Sequence, residues 1–455
     1  LVIASSIYGQ SMRLLFNDLN QPDTLEILSD ELEPRLHQEL AHHRAQGFWD
    51  VSIDLQSSPG DSNLIIAGIN PGPETFVSNV HFQGIAQKDE RFITREYLMG
   101  RSTIHVKDLQ QAENRITNLG YRLVGDVSVS KDDEQQFHLN YTVNEAPELH
   151  AEALASFSRS ANADTIAWYG QINFFAPNID GNGKSVLLTW KRLKIKSEHM
   201  MLKYSQPWIL NIPLTASFQF QREVVNGLYQ TIQSGVGLSW NQDWDKSLIF
   251  EYEFYQSLIT HEGSLVHPLW RAEKKKMLGL GFRQISLNKS EHQGISLLSS
   301  LQQELNFEPS SLRIFKLRSE AELRLAKQLH LSQRSYWLIQ NRTTAENDPS
   351  LLNPLGGVNS VRGFDESVIR APSTISIQNN LNIQLGGTSM LFALLDFGLY
   401  SQDKSIESMV GYGLGVQLAS GRGPISITIA SHNGVAFRNS FLHIEYAGGV
   451  PWIDR

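Results

Sequence analysis

The sequence predicts a composite fold: two small α+β units, then a sixteen-stranded antiparallel β-barrel that spans a membrane. Three observations predict it. Apolar residues recur at helical spacing only in the first third of the chain, where helix, glycine-aromatic pair, strand and strand follow one another twice. From about residue 148 the period falls to two and stays there. Within that stretch lies a Gly-rich segment with one arginine, Gly356-Gly357-Val358-Asn359-Ser360-Val361-Arg362-Gly363-Phe364. About thirty residues later an apolar segment, Leu391 to Gly398, carries a single acid, Asp396. Neither charge is cheap to leave unpaired away from water, so the two are expected to meet.

The totals bound the function. At 455 residues there is room for small domains and one large barrel. A net charge of −8 offers no concentrated basic surface, and no nucleic-acid partner is expected. Cysteine is absent, which excludes disulfides and thiolate metal sites. No run of 18 apolar residues marks a transmembrane helix. The mean hydropathy of −0.26 leaves a membrane barrel open, because the lumen face of such a barrel is polar. No cofactor or metal is expected, and no enzyme. Asp180-Gly181-Asn182-Gly183-Lys184-Ser185 lacks the first glycine of a phosphate-binding loop and leads into an alternating strand, so it reads as a hairpin turn. His42 and His43 would point about 100° apart on a helix, a poor metal pair. No Gly-x-Ser-x-Gly or His-Glu-x-x-His occurs.

Residues 1–11 read either as the tail of a secretory signal or as a first strand. Residues 12–73 make the first unit, short before its main helix. Leu32, Leu36 and Leu40 give that helix its apolar face, Gly47-Phe48 its stop, and Phe48 to Leu55 and Asn63 to Ile69 the strand pair. Residues 74–147 repeat the plan. Phe76 to Phe82 is a first strand, Leu109, Ala112, Ile116 and Leu119 a helix face, and Gly120-Tyr121 the stop. Val124 to Ser130 and Phe137 to Val143 are the strand pair. The two stops are 73 residues apart, one supersecondary unit used twice.

Residues 148–455 alternate. Leu391, Ala393, Leu395, Phe397 and Leu399 share one face of their segment, with Asp396 and Gly398 on the other. Sixteen such segments begin near 149, 164, 184, 196, 213, 228, 246, 271, 292, 310, 330, 372, 389, 409, 423 and 440. An even count at roughly ten residues each fits a closed barrel with an apolar belt and no free edge. Trp168, Trp190, Trp208, Trp240, Trp244, Trp270 and Trp337 mostly fall near segment ends, as interface aromatics do. The basic run Arg271 to Lys276 is expected to line the lumen or an interface.

The repeated small unit resembles POTRA domains, the periplasmic modules of outer-membrane assembly and secretion proteins. With sixteen strands behind it, Val361-Arg362-Gly363-Phe364 falls between strands 11 and 12, in a sixth extracellular loop spanning 341–371. The chain is thereby similar to the superfamily that includes BamA, TamA and FhaC, over about residues 29 to 448. In that superfamily a Val-Arg-Gly-Phe/Tyr motif folds back into the barrel, and its arginine meets the acid of a Phe/Gly-x-Asp-x-Gly motif on strand 13. The matching residues are Val361, Arg362, Gly363 and Phe364, and Leu394, Asp396 and Gly398, with leucine departing at the first position of the second motif. Tyr204-Ser205-Gln206-Pro207-Trp208 and Pro213-Leu214 also resemble the segment between strands 4 and 5.

The resemblance implies location in the outer membrane of a diderm bacterium, with the N-terminal modules in the periplasm. The partners expected are the lipid bilayer, unfolded or extended client polypeptides, and periplasmic or lipoprotein partners of the POTRA modules. The function expected is an insertase or assembly factor for outer-membrane proteins. The alternative is a two-partner-secretion transporter that exports a dedicated exoprotein through the lumen, and a passive porin is a third reading. The working region is expected at a weak seam between strand 1 (Leu149, Glu152, Leu154, Phe157) and strand 16 (Leu442, Ile444, Tyr446, Gly448, Gly449). Gly448-Gly449-Val450-Pro451 weakens pairing there, since proline has no N–H. Barrels of this kind often end on an aromatic residue. Here either Trp452 stands in for it or a short tail follows.

Overall fold

The computed structural model describes the chain apart from residues 1–10, 18–22, 29–30, 59–60, 132–135, 146–148, 160–165, 195, 287–292, 306–310, 342–347, 387–388, 403–404, 420–424, 433–439 and 447–455. The region 1–10, read as signal tail or strand, and the C-terminal residues Gly448, Gly449 and Trp452 lie outside the described residues. Contacts divide the chain into two compact units, Leu1–Ala146 and Pro147–Arg455.

The first unit holds two sheets of four strands. One is built from β1 (Ser11–Asn17), β2 (Asp23–Leu28), β3 (Ser52–Ser58) and β4 (Asp61–Asn70), with α1 (Leu32–Ala45). The other is built from β5 (Phe76–Gln83), β6 (Ile104–His105), β7 (Arg122–Lys131) and β8 (Phe137–Glu145), with α2 (Gln87–Leu98) and α3 (Leu109–Asn118). Their strand orders match, β2-β1-β4-β3 and β6-β5-β8-β7, and in each the first strand runs parallel to the last. A parallel pair needs a crossover, and the helices supply it.

The helix stops match too. Gly47 and Gly120 sit at φ 106° and 95°, and the next residue donates its N–H back into the helix, Phe48 to the His43 carbonyl (3.1 Å) and Tyr121 to Ile116 (3.3 Å). That bond corrects the expected strand start at Phe48: it belongs to the stop, and β3 begins at Ser52. Helix α2 carries charge on most of its surface and gave no clear stripe in the sequence. It nevertheless buries Phe92, Ile93 and Tyr97.

In the second unit every expected segment is a strand. They are β9 (His150–Arg159), β10 (Ile166–Ile179), β11 (Lys184–Lys194), β12 (Ser197–Gln206), β13 (Leu214–Val225), β14 (Tyr229–Asn241) and β15 (Lys246–Ile259). After the short helix α4 (His261–Val266) come β16 (Lys274–Ile285), β17 (Gly294–Glu304), β18 (Arg313–Ala326) and β19 (Leu329–Gln340). A small hairpin, β20 (Asn353–Leu355) and β21 (Ile369–Ala371), then precedes β22 (Thr374–Gly386), β23 (Ser389–Gln402), β24 (Ser405–Leu418), β25 (Ile425–His432) and β26 (Phe441–Tyr446).

Leaving the hairpin aside, each strand pairs antiparallel with the next, giving one 16-stranded sheet ordered from β9 to β26. Among the described residues the ladders join β9 only to β10 and β26 only to β25. Alternation is cleanest in β23, where Leu391, Leu395, Phe397 and Leu399 are exposed and Phe392, Leu394, Asp396 and Gly398 are buried. A long antiparallel sheet with an apolar outer face and a polar inner one fits a β-barrel. Asp180 to Gly183 is the turn between β10 and β11. No described helix is long and apolar enough to cross a membrane, which says nothing about crossing by strands.

Candidate functional site: a loop pinned inside the sheet

Residues 341–373 connect β19 to β22, and the expected loop 341–371 falls within them. The hairpin β20–β21 frames this connection, pairing Asn353 with Ala371 and Leu355 with Ile369. Between its strands a tight turn forms, with Gly357 N–H donating to the Val361 carbonyl (3.1 Å) and Gly356 N–H to Ser360 Oγ (2.7 Å). The turn delivers Val361 to Phe364 against the inner face of β23–β26.

Arg362 meets Asp396 there. Its Nε donates to Oδ2 at 2.7 Å, its Nη2 to Oδ1 at 2.7 Å, and its backbone N–H to Oδ2 at 3.0 Å. Asn379 on β22 gives a further backbone N–H to Oδ1 at 3.3 Å, and Arg362 Nη2 also reaches Asn380 Oδ1 at 2.8 Å. Arg362 is 6% exposed and Asp396 0%. Such burial is tolerable because the paired geometry is two-pronged and the remaining lone pairs of the acid are filled by N–H donors.

Space for the loop comes from missing side chains. At Gly363 (φ 92°) an added Cβ would lie 2.3 Å from the Ser431 carbonyl oxygen, and at Gly411 on β24 it would lie 1.8 Å from the Arg362 carbonyl oxygen. Gly398 does the same for Val361, whose methyl would be 2.8 Å away. Val361 itself is fully buried with Leu355 and Met409, and Phe364 packs on the same cluster. Phe364 also stacks on His432 of β25, ring centroids 4.2 Å apart, and Gly363 N–H donates to His443 Nε2 of β26 at 3.2 Å. The motif therefore touches β22 through β26.

Asn380, Gly411, His432 and His443 were not singled out from the sequence. The signal for Gly411 was present in the alternation Gly411-Gly413-Gly415, which leaves the inner face of β24 bare. The histidines carried none beyond their position on a strand. Leu394, in the first position of the second motif, packs with Phe392 and Ala430, a contact that needs only an apolar side chain. In the basic run, Lys275 is buried and pairs with Glu273 and with Asp348 of the loop, while Lys274 and Lys276 are exposed.

The expected seam residues are distributed as follows. Glu152, Leu154 and Phe157 lie on β9, with Leu149 just before it and exposed. Leu442, Ile444 and Tyr446 lie on β26, Leu442 exposed. Gly448 and Gly449 are outside the described residues. The described ladders do not bring β9 and β26 together. Among the described residues no cluster of His, Asp or Glu could hold a metal ion.

With this geometry in view, a protein-family model described as haemolysin secretion/activation protein ShlB/FhaC/HecB matches residues 268–418, from before β16 through β24, which includes both halves of the pinned pair. The resemblance to the superfamily of BamA, TamA and FhaC holds. CdiB from Escherichia coli is similar in structure, with TM-score 0.57 at 11% identity, covering 98% of this chain and 91% of that one. CdiB from Acinetobacter baumannii gives TM-score 0.51 at 14% identity, over 95% and 87%. BamA from Haemophilus ducreyi lacking POTRA domains 1–3 gives 0.48 at 14%, over 96% and 98%. At these identities the likeness to the two CdiB structures is one of fold alone, and with the 16-stranded sheet it fits a β-barrel. A search of curated proteins gave no match.

Proposed function

We propose that the chain is an outer-membrane barrel that moves extended polypeptides, and that it does so by export through the lumen. The observation that carries this reading is the pinned loop: a buried Arg362–Asp396 pair on the inner face of β23, inside a stretch matched by a secretion-protein family. The inner face suits a passing backbone. Glu253, Tyr255, Gln233 and Lys316 form a continuous hydrogen-bonded group on β14, β15 and β18, polar groups with which peptide N–H and C=O groups can exchange partners. The two N-terminal sheets act as periplasmic POTRA modules whose edge strands take up client segments by strand addition. In this reading the sheet closes in the bilayer, with the β19–β22 connection as the sixth extracellular loop and the apolar outer face against lipid.

The second reading, insertion of clients at a β9–β26 seam, was the first expected from the sequence. It is favoured by the sequence Gly448-Gly449-Val450-Pro451, where proline has no N–H to give to a neighbouring strand.

One experiment separates the two. Paired cysteines in β9 and β26, unambiguous in a chain without native cysteine, are oxidised to a disulfide in proteoliposomes. Export is expected to survive the bond, whereas insertion at a seam stops. Export lost on oxidation and regained on reduction would overturn the lumen reading.

A further inference from the structure

The β19–β22 connection is fastened at a second place. Arg370 on β21 donates from Nη2 to Glu223 of β13 and from Nη1 to the Tyr229 hydroxyl of β14, the latter at 3.2 Å. Tyr229 is 2% exposed, and its ring meets Trp270, just before β16, edge-on at 5.1 Å. β13 and β14 stand towards the β9 end of the sheet order, whereas Asp396, Ser431 and His443 sit on strands at the β26 end. The guanidinium of Arg370 thus ties the β20–β21 hairpin, whose second strand ends three residues before β22, to strands that are not neighbours of β22–β26. In a closed sheet that side chain reaches across the space around which the sheet curls.

The two ties are unequal. Asp396 receives three donors from Arg362, one of them backbone, in a site that excludes water, so parting them strands a buried charge. Arg370 and Glu223 keep 18% and 23% side-chain exposure. Water reaching that pair screens its attraction and replaces its hydrogen bonds as it separates. The other limb of the loop is held by Asp348 to Lys275 on β16, with both side chains 3% exposed. Of these three ties, Arg370 is the one that opens at least cost.

We propose that the Arg370 side chain, with Glu223 and Tyr229, is a releasable strap across the lumen between the β20–β21 hairpin and the facing strands β13 and β14. Release leaves the hairpin in its ladder, opens the gap between it and those strands, and frees guanidinium donors towards carboxylates and carbonyls of an entering extended polypeptide. The inference rests on reading the sheet as a closed barrel that passes polypeptide.

The test uses the full chain in planar bilayers, with conductance as the readout. Arg370→Ala and Glu223→Gln are each expected to raise the mean conductance severalfold. A Glu223→Cys/Arg370→Cys chain should behave as open, fall to the parent level when a bis-methanethiosulfonate linker joins the two positions, and open again on reduction. Heat-modifiable mobility on gels confirms that each variant is folded, and should Arg370→Ala fail to fold, the linker arm decides alone. Conductance indifferent to the linker overturns the strap. Polypeptide passage by the parent protein is scored separately. If the linker gates ions but the parent passes no polypeptide, the export reading fails and the strap stands. If the parent passes polypeptide and the linker changes nothing, the reverse holds.

Discussion

Two buried arginine–carboxylate pairs sit in different parts of the chain and are built differently. In the second small unit, Arg115 of α3 reaches Glu96 of α2, with Nε at 2.7 Å and Nη2 at 2.6 Å, both on Oε2. In the 16-stranded sheet, Arg362 spans both oxygens of Asp396, and main-chain N–H groups from the loop and from β22 complete the acid. Both acids are closed to water, but the Arg115 side chain is 18% exposed and that of Arg362 8%. The first pair ties side chain to side chain and sets how two helices pack. The second ties backbone to side chain and fixes where a loop stands. A loop has no ladder of its own, so the pair must supply what a neighbouring strand supplies elsewhere.

The sharpest way to break this contrast is to remove each acid. Asp396→Ala leaves an uncompensated guanidinium and unpaired N–H groups in a dry site, and is expected to cost about 3–5 kcal/mol. The folded fraction in vesicles, read by heat-modifiable mobility and urea midpoint, should fall accordingly. The charge-swapped Arg362→Asp/Asp396→Arg chain should recover only part, because arginine at 396 cannot accept the two main-chain N–H groups. Full recovery would mean that the backbone bonds contribute nothing.

Glu96→Ala is expected to cost less, about 1–3 kcal/mol, because Arg115 can turn towards solvent. Hydrogen exchange of α2 and α3 amides in the intact chain checks it. A loss equal to that of Asp396→Ala would erase the distinction between the two designs. The exposed pair Lys131–Asp50, at 2.7 Å, supplies the baseline. Asp50→Ala should change stability by no more than about 1 kcal/mol by the same measurement.

The contrast also bears on what can be read from sequence. All sixteen strands were legible, since a half-buried strand imposes a period of two that survives almost any choice of outward residue. Arg362 and Asp396 stood out because each is a lone charge in surroundings that otherwise exclude charge, glycines in one case and leucines in the other. Arg115 and Glu96 lie among other charges on amphipathic helices, where the inward member looks like the outward ones. Arg370 and Glu223 were hidden for the same reason, and their partnership depends on how the sheet curls. No local pattern records that.

The smallest expected effect comes from the neighbour of the helical pair. Glu113 on α3 accepts the Tyr141 hydroxyl at 2.6 Å, which in turn contacts the Tyr97 hydroxyl at 2.7 Å. Burial raises the Glu113 carboxyl above its ordinary 4.5, and the Tyr141 hydrogen bond pulls the other way but loses. A carboxyl whose folded pKa is raised binds more proton in the folded state. Its stabilising contribution is therefore full below about pH 4.5 and is lost as pH rises through the folded value. Glu113→Gln should flatten that dependence, seen as α3 amide protection, relative to the free-peptide exchange rate at each pH, that stays constant between mild acid and neutrality. Tyr141→Phe removes the bond that favours the carboxylate, so the same loss should shift to higher pH. A shift to lower pH would show that the hydrogen bond favours the protonated carboxyl, with Glu113 donating to Tyr141 and not taking the accepting role that Asp396 plays towards Arg362.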